Sequence, residues 1–180
     1  MNGMIELVIG PMFAGKSTFM VQKCNEAIHD KKRVVIIKHA SDKRYEKNIV
    51  THDQGSFDNV IYLSNISDIH MDDYDVIGID EGHFFSSLDL FCLDALKNDK
   101  HVIISGLSSD YLMRPFDIIS KVIPLSTHIY KMNAKCTLCD QCANFTKRIT
   151  KTNELFVIGG INEYEPRCYT CYHQQEETNV

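Results

Sequence analysis

The chain lacks the sequence features that place a protein in a membrane or direct it into the secretory pathway. None of its apolar runs approaches the roughly 18 residues that a membrane-spanning helix needs. Residues 1–9 have no basic region ahead of their apolar stretch, so we interpret that stretch as a first strand and not as a signal peptide. We therefore expect a cytoplasmic protein with no membrane partner.

The chain also lacks an excess of basic residues. Its net charge is −5, and its one tight basic run, at 31–33, lies between a predicted helix and a predicted strand. Proteins that follow the phosphates of nucleic acid usually carry a basic excess or a basic stripe. We therefore expect no direct contact with nucleic acid.

The composition is that of a globular protein, with 180 residues, 44% of them apolar and 24% charged. Apolar patterns predict helices and buried strands in alternation, which is typical of a mostly parallel sheet with helices on both faces. The predicted strands are 4–9, 33–38, 74–80 and 101–106, and the predicted helices are 17–30 and 88–97. Residues 39–59 are polar and without clear periodicity, which favours a long loop.

The character of the sequence changes near residue 130. Long apolar runs end there, threonines and cysteines become frequent, and only 155–158 has the pattern of a strand. We predict a domain boundary at this point, with an α/β domain at 1–130 and a smaller domain at 131–180.

Residues 10–17 match G-x-x-x-x-G-K-[ST], the pattern of a phosphate-binding loop. They follow a predicted strand and open a predicted helix, which is the context that such a loop requires. Its backbone N–H groups and the helix N-terminus converge on phosphate oxygens. Lys16 is predicted to reach the β- and γ-phosphates of ATP, and Ser17 to ligate Mg²⁺. The predicted nucleotide-binding residues are Gly10, Pro11, Met12, Phe13, Ala14, Gly15, Lys16 and Ser17.

The predicted strand 74–80 ends in an acidic pair, Asp80 and Glu81. In a P-loop protein an acid at such a strand end faces the phosphates and helps to hold Mg²⁺, a role that we assign to Asp80. Glu81 is then available to accept a proton from an attacking hydroxyl, or to position a water. Alternatively, Glu81 caps the helix that starts near Ser86. The pair does not by itself distinguish a kinase from an ATPase.

Seven cysteines are present, and four of them form two C-x-x-C pairs separated by 28 residues. In a chain without a secretory signal, such pairs favour a structural, tetrahedral Zn²⁺ site over disulfides. Cys142 falls outside this spacing, whereas Cys24 and Cys92 lie on apolar helix faces and are predicted to be core residues. The predicted zinc ligands are Cys136, Cys139, Cys168 and Cys171.

The residues between the two cysteine pairs would form a loop that the metal ties at its base. This loop contains Gly159 and Gly160, and Tyr164 follows. It could close over a small ligand, or it could be an ordinary hairpin with a surface tyrosine. The residues alone leave both interpretations open.

Taken together, seven linked features resemble one family, the type II thymidine kinases, which occur in the cytosol of cells and in some large DNA viruses. The resemblance covers nearly the whole chain, which in length is similar to the viral or bacterial members. The matching features, in order, are GPMFAGKST at 10–18, KHASDKRY at 38–45, IDEGHFF at 79–85, RPF at 114–116, TKR at 146–148, VIGG at 157–160 and the two cysteine pairs.

The resemblance implies a P-loop NTPase-like α/β fold with a small C-terminal zinc-stapled lasso domain that closes over the nucleoside. The implied reaction is transfer of the ATP γ-phosphate to the 5′-hydroxyl of thymidine, a step of nucleotide salvage for DNA synthesis. Glu81 would be the general base, and Asp80 would serve Mg²⁺. Asp42 and Arg44 match positions that assist the nucleotide phosphates and Mg²⁺.

The resemblance further implies a nucleoside pocket, a regulator and an oligomer. The pocket lining would be Met12, Phe84, Leu107, Tyr111, Phe116 and Tyr164. The backbone that hydrogen-bonds the thymine edge would be that of Leu155, Phe156, Val157, Ile158 and Gly159. Family members are typically homotetramers that thymidine triphosphate inhibits as the end product, and their zinc ligands match the four cysteines above.

Three departures from the family pattern concern the nucleoside pocket. His83 stands where a glutamine is usual, and Tyr111 stands where a phenylalanine is usual. Asp110 would lie close to the pocket for the thymine methyl group, so we expect its carboxylate to turn outward to cap or pair. These changes affect base selectivity and leave phosphoryl transfer untouched.

Other interpretations remain. A kinase for another nucleoside fits the same motifs, but a monophosphate kinase would need several arginines, and only Arg44 and Arg114 lie near predicted site loops. A nucleic-acid-stimulated ATPase with a zinc ribbon is disfavoured by the acidic charge and the short chain. A non-enzymatic zinc-ribbon module is disfavoured by the intact P-loop and acidic pair.

Overall fold

The computed structural model describes residues 2–41, 59–150 and 160–174. Its centre is a six-stranded sheet in the order β3-β2-β4-β5-β1-β6, in which every neighbouring pair is parallel. This confirms the predicted parallel α/β architecture. The strands are β1 Met4–Gly10, β2 Val34–His39, β3 Val60–Leu63, β4 Val76–Ile79, β5 His101–Leu107 and β6 His128–Lys131.

Helices cover both faces of this sheet because successive strand residues point to opposite sides and both sides are apolar. Alternate strand residues such as Val34 and Ile36 pack with α1 on one face, and their neighbours Val35 and Ile37 belong to the larger core on the other face, with α2 and α3. The helices are α1 Lys16–His29, α2 Leu88–Lys97, α3 Asp117–Val122 and α4 Tyr169–His173.

Helix α1 lies close to the middle of the sheet because β4 has a glycine beneath it. A Cβ atom on Gly78 would come within 2.8 Å of the Cys24 sulfur. Cys24 and Cys92 are fully buried, and burial raises the pKa of each thiol to about 12. Both are core residues, as predicted from their positions on apolar helix faces.

In its described residues, 131–150 and 160–174, the C-terminal segment contains four short strands in two antiparallel pairs. Strands β7 (Ala134–Lys135) and β8 (Cys142–Ala143) form one pair, and β9 (Phe145–Arg148) and β10 (Tyr164–Arg167) form the other. The expectation that 155–158 is the only strand beyond residue 130 was therefore wrong, and 155–158 itself lies outside the described residues. The sequence pattern does not predict these strands because they are short and lack alternating apolar residues.

The C-terminal segment packs directly against the phosphate loop. Ala14 belongs to one apolar cluster with Ala134, Ala143, Cys136 and Cys171. The predicted domain boundary near residue 130 stays a prediction; strand β6 spans it and pairs with β1. In the part of the chain that the structure describes, no helix combines the length and hydrophobicity needed to cross a membrane.

Candidate active site

The phosphate loop connects β1 to α1 and depends on two glycines. A Cβ atom on Gly10 would lie 2.4 Å from the carbonyl oxygen of Met132, so the strand end tolerates no side chain. Gly15 precedes α1 with φ 76°, in the left-handed region that favours glycine. Between them, Phe13 also has a positive φ of 64° and is exposed. The loop therefore follows a path that the glycine spacing of the motif makes possible.

Three other loop residues, Met12, Ala14 and Lys16, contact the loop itself or the C-terminal segment. The buried Lys16 donates from Nζ to the carbonyl oxygen of Pro11 at 2.7 Å, which curls the side chain back over the loop. The backbone N–H of Met12 donates to Oγ1 of Thr146 on β9 at 3.0 Å, and Ala14 packs against the cysteine-containing cluster. Strand β9 thus supports the outer side of the loop.

Asp80 is the centre of a polar cluster at the carboxyl ends of the strands. Its Oδ1 accepts hydrogen bonds from the hydroxyls of Ser17, at 2.7 Å, and Ser105, at 2.6 Å. Its Oδ2 lies 3.5 Å from Nζ of Lys38, and both of these side chains are buried. Carboxyl ends of parallel strands are where open α/β sheets bind ligands. Ser17 and Asp80 offer neighbouring oxygen donors of the kind that Mg²⁺ prefers.

Two members of this cluster were not predicted. Lys38 lies in the KHASDKRY segment that contributes to the resemblance, but without an assigned role. Ser105 lies in a predicted buried strand, and nothing in the strand pattern marks its hydroxyl. Lys38 and Ser105 come close to Asp80 because β2 and β5, which carry them, are the two neighbours of β4 in the sheet.

Glu81 has a backbone conformation that is uncommon for its residue type. It is left-handed, with φ 52° and ψ 45°, at the start of a short 3₁₀ turn over Gly82–Phe84. Such a conformation costs about 1 kcal/mol or more in a residue other than glycine, and it recurs at functional sites. Its side chain caps neither that turn nor α2, whose preceding residue is Ser87. The alternative role of Glu81 as a helix cap therefore has no support in the geometry.

His83 brings three of the predicted pocket residues together. Its Nδ1 accepts a hydrogen bond from the backbone N–H of Leu107 at 3.3 Å. Its ring lies 4.3 Å from the ring of Phe84 and 4.7 Å from the ring of Phe116, measured between centroids. The same Nδ1 is 3.5 Å from Oε2 of Glu81, and the imidazole is only 4% exposed. Residues at the ends of β4 and β5 and at the start of α3 therefore form one wall beside the acidic pair.

Arg148 on β9 brings together two other predicted pocket residues. The carbon at the centre of its guanidinium lies 3.8 Å from the ring centroid of Tyr111 and 5.4 Å from that of Tyr164. Its Nη2 donates to the hydroxyl of Tyr164 at 2.8 Å. The hydroxyl of Tyr172 on α4 donates to the backbone carbonyl of Tyr111. Arg148 lies in the TKR segment, whose local pattern contains no signal for these partners.

The carboxylate of Asp110 turns back onto its own loop. Oδ1 accepts from the backbone N–H groups of Leu112 and Arg114, both at 2.9 Å, and Oδ2 accepts from Nε of Arg114 at 2.7 Å. A short polar side chain that bonds backbone groups two and four residues ahead stabilises a turn. The expectation that Asp110 caps or pairs locally is confirmed.

The four predicted zinc ligands converge. The sulfur atoms of Cys136, Cys139, Cys168 and Cys171 all lie within 4.8 Å of one another. Tetrahedral Zn–S bonds of about 2.3 Å imply sulfur atoms roughly 3.8 Å apart, so the cluster fits a closed structural zinc site. Cys142 is exposed and lies outside this group.

The chemistry of the first cysteine suits metal binding. Burial opposes ionisation of the Cys136 thiol, but hydrogen bonds from the backbone N–H groups of Cys168, Leu138 and Cys139 outweigh it and lower the pKa to about 6. A thiolate is the form that ligates zinc. The convergence of the four sulfur atoms, from two tight turns of the chain, could therefore hold a zinc ion.

Seven of the predicted site residues lie outside the described residues. They are Asp42, Arg44, Leu155, Phe156, Val157, Ile158 and Gly159.

Comparison with known proteins assigns the family. A model of the family described as "Thymidine kinase" matches residues 3–172. The thymidine kinase of Amsacta moorei entomopoxvirus is 42% identical over 178 residues, covering 94% of this chain and 97% of the relative. This chain belongs to the thymidine kinase family. The family's member in Vaccinia virus (strain Western Reserve) is 36% identical over 173 residues, covering 95% of this chain and 97% of that protein.

One solved structure supports the fold alone. The flagellar accessory protein FlaH from Methanocaldococcus jannaschii matches with a TM-score of 0.52 at 10% identity, covering 85% of this chain and 75% of that chain. The identity is too low to carry any inference about function.

Proposed function

We propose that this protein is an ATP-dependent phosphotransferase that transfers the γ-phosphate of ATP to the 5′-hydroxyl of thymidine and so yields thymidine monophosphate. The observation that carries the proposal is the juxtaposition of a phosphate loop with the Asp80–Glu81 pair in a chain that belongs to the thymidine kinase family. This reaction would supply a DNA precursor by nucleotide salvage.

The phosphate loop would bind the triphosphate of ATP. Its backbone N–H groups and the N-terminus of α1 provide the positive end of a helix dipole for the anion. In the described structure Lys16 donates to the carbonyl of Pro11. We expect it to exchange this neutral partner for phosphate oxygens, because a hydrogen bond between two charged groups is the stronger one. Asp42 and Arg44 would assist from outside the described residues.

Asp80 would hold Mg²⁺ together with Ser17. When bound, the ion would neutralise charge on the phosphates during transfer. The residues around Asp80 would keep its carboxylate oriented. Ser105 donates to the same carboxylate oxygen as Ser17, and the Lys38 ammonium lies beside the other oxygen.

Glu81 would accept the proton of the attacking 5′-hydroxyl. Phosphoryl transfer passes through a loose transition state, so a carboxylate near the alcohol is sufficient and a strong base is not needed. The side chain of Glu81 is 19% exposed and is not consumed by helix capping, and the adjacent His83 restricts where it can point.

The nucleoside would bind between the wall around His83 and the two tyrosines that contact Arg148, which would form a second wall. His83, Phe84, Leu107 and Phe116 form one wall, and Tyr111 and Tyr164 belong to the other. Backbone groups of 155–159 would read the thymine edge, because leaving a buried peptide group unpaired costs about 1–3 kcal/mol. The zinc site would hold the base of this segment. A homotetramer in the cytoplasm, inhibited by thymidine triphosphate, completes the proposal.

The decisive experiment measures transfer of label from γ-labelled ATP in the presence of Mg²⁺. The acceptors are the four deoxynucleosides, deoxyuridine and thymidine monophosphate, and the no-acceptor reaction is run with and without DNA. Labelled thymidine monophosphate, formed much more slowly with Glu81→Gln, supports the proposal. Label released only as inorganic phosphate, and faster with DNA, would refute the kinase and make Glu81 a water-activating residue of an ATPase.

A further inference from the structure

The guanidinium of Arg148 lies between two tyrosines that come from different parts of the chain. It faces the ring of Tyr111 at 3.8 Å and donates to the hydroxyl of Tyr164 at 2.8 Å. Tyr111 lies in the loop that follows β5, which ends at Leu107, and Tyr164 is the first residue of β10. One side chain therefore joins the parallel-sheet unit to the zinc-binding segment at the predicted nucleoside pocket.

Strand geometry directs Arg148 toward the site. Arg148 and Thr146 are two residues apart on β9, so their side chains lie on the same face of the strand. Thr146 accepts the backbone N–H of Met12 in the phosphate loop, and Arg148 is the cross-strand partner of Tyr164. The face of β9 that carries Arg148 is thus the face that meets the phosphate loop.

The intervening residue marks the opposite face of the strand. Lys147 donates from Nζ to the backbone carbonyl of Tyr172 on α4 at 2.9 Å. Tyr172 in turn donates from its hydroxyl to the backbone carbonyl of Tyr111. Tyr111 is consequently held at its carbonyl by α4 and at its ring by Arg148, so both its position and its ring orientation depend on the C-terminal segment.

Only an arginine makes both contacts at once. Its planar guanidinium can stack on an aromatic ring while an N–H in the same plane donates sideways to an oxygen. A lysine ammonium could keep the hydrogen bond to Tyr164 but has no plane to cover Tyr111. The geometry therefore fixes the separation of the two rings more tightly than apolar contact alone would.

We propose that Arg148 is a positioning residue for the nucleoside subsite, holding Tyr111 and Tyr164 at the separation that accepts the pyrimidine base. It acts through the two tyrosines and takes no part in phosphate transfer. The proposal rests on the proposed function, because the substrate in question is thymidine.

The test compares steady-state kinetics of full-length, zinc-loaded wild type with Arg148→Met, Arg148→Lys and Tyr164→Phe. Arg148→Met keeps the length of the side chain and removes the plane, the charge and the donors. We expect its KM for thymidine to rise about five- to thirtyfold, the range of a lost cation–π contact and hydrogen bond, with kcat and the KM for ATP within about twofold. Arg148→Lys should give an intermediate rise.

Arg33→Met is the matched control. Arg33 is an exposed arginine that pairs with Asp75 beside β2, away from both tyrosines. Its substitution removes the same charge and should leave all three constants within about twofold of wild type. Melting temperatures of all variants separate a folding defect from a binding defect. Tyr164→Phe removes the hydroxyl oxygen that accepts the hydrogen bond from Arg148, and so tests that contact with the loss of one atom.

The outcomes are distinct. The positioning role is overturned if Arg148→Met folds with an unchanged KM for thymidine. It is also overturned if kcat or the KM for ATP changes by the same factor as the KM for thymidine. If Arg148→Met does not fold, an unchanged KM for thymidine in both Arg148→Lys and Tyr164→Phe overturns it. If wild type transfers no phosphate to thymidine, the proposed function itself fails, which the wild-type reaction alone reveals.

Discussion

The Nδ1 atom of His83 lies 3.5 Å from Oε2 of Glu81 and accepts a hydrogen bond from the backbone N–H of Leu107. His83 thus contacts the proposed base through a nitrogen that is committed to the end of β5. It sets the spacing between Glu81 and the pocket wall formed with Phe84 and Phe116.

We predict that His83→Gln retains activity and His83→Leu does not. A glutamine amide can accept from Leu107 through its oxygen while its nitrogen approaches Glu81, whereas leucine can do neither. We expect kcat of His83→Gln within about threefold of wild type and kcat of His83→Leu lower by about tenfold, the effect of misplacing a reacting group. Equal losses in both variants would mean that the ring packing on Phe84 and Phe116, and not the nitrogen, is what matters.

Glu81→Gln should separate catalysis from nucleotide binding. The amide is nearly the same size as the carboxylate but cannot take the proton of the 5′-hydroxyl. We expect kcat to fall about 10²- to 10⁴-fold, the usual contribution of a general base, with the KM for ATP within about twofold. Glu26→Gln, on the exposed side of α1, is the matched control. Near wild-type turnover in Glu81→Gln would remove Glu81 from its role as base.

Loss of zinc should weaken thymidine binding more than ATP binding. The C-terminal segment holds Tyr111 at its ring through Arg148 and at its carbonyl through Tyr172. Its described contacts with the phosphate loop are a single hydrogen bond, from Met12 to Thr146, and packing around Gly10 and Ala14. We expect a chelator, or Cys139→Ser, to raise the KM for thymidine several-fold further than the KM for ATP.

Cys142→Ser is the control for this prediction, because Cys142 lies close in the sequence but outside the metal cluster. Its zinc content, measured by atomic absorption, and both KM values should match wild type. An equal loss of thymidine and ATP binding on chelation would instead mean that the metal holds the whole fold together.

Stability should depend on a buried carboxylate far from the reaction. Glu6 accepts a hydrogen bond from His101 at 2.8 Å and lies 3.1 Å from the Lys23 ammonium. The hydrogen bond from His101, and the smaller effects of Lys23 and Tyr130, outweigh burial and lower the pKa of Glu6 from 4.5 to about 2. Because the pKa is lower in the folded state, the ionised carboxylate of Glu6 stabilises that state. This contribution is complete above pH 4.5 and is lost as the pH falls toward 2.

Glu6→Gln should therefore lower the free energy of unfolding by about 2–4 kcal/mol at pH 7, at roughly 1.4 kcal/mol for each unit of pKa shift. Urea denaturation at pH 7, 5 and 3 should show the difference from wild type narrowing as the pH falls below 4.5. Asp75→Asn is the comparison, because its pair with Arg33 is exposed and screened by solvent and should contribute less. A difference that does not change between pH 7 and 3 would contradict the role of Glu6 ionisation.

Much of the fold could be predicted from the pattern of apolar residues. Helix α2 has the predicted bounds, Leu88–Lys97, and the four predicted sheet strands of the described residues occur within three residues of their expected ends. Strands β3 and β6 escaped prediction because they are edge strands of four residues with exposed positions. An edge strand has a neighbour on one side only, so its sequence carries less of the apolar signal of a buried strand.

The phosphate-loop motif, the acidic pair and the two cysteine pairs are readable in the sequence, because each of them depends on residue types at short, fixed spacing. Which side chains support these motifs depends on how distant parts of the chain pack together. Met12 meets Thr146 across 134 residues, Asp80 meets Ser105 from the next strand of the sheet, and Arg148 meets Tyr111 across the junction with the zinc-binding segment. Such contacts follow from strand order and from packing between distant segments, and no local spacing in the chain encodes them.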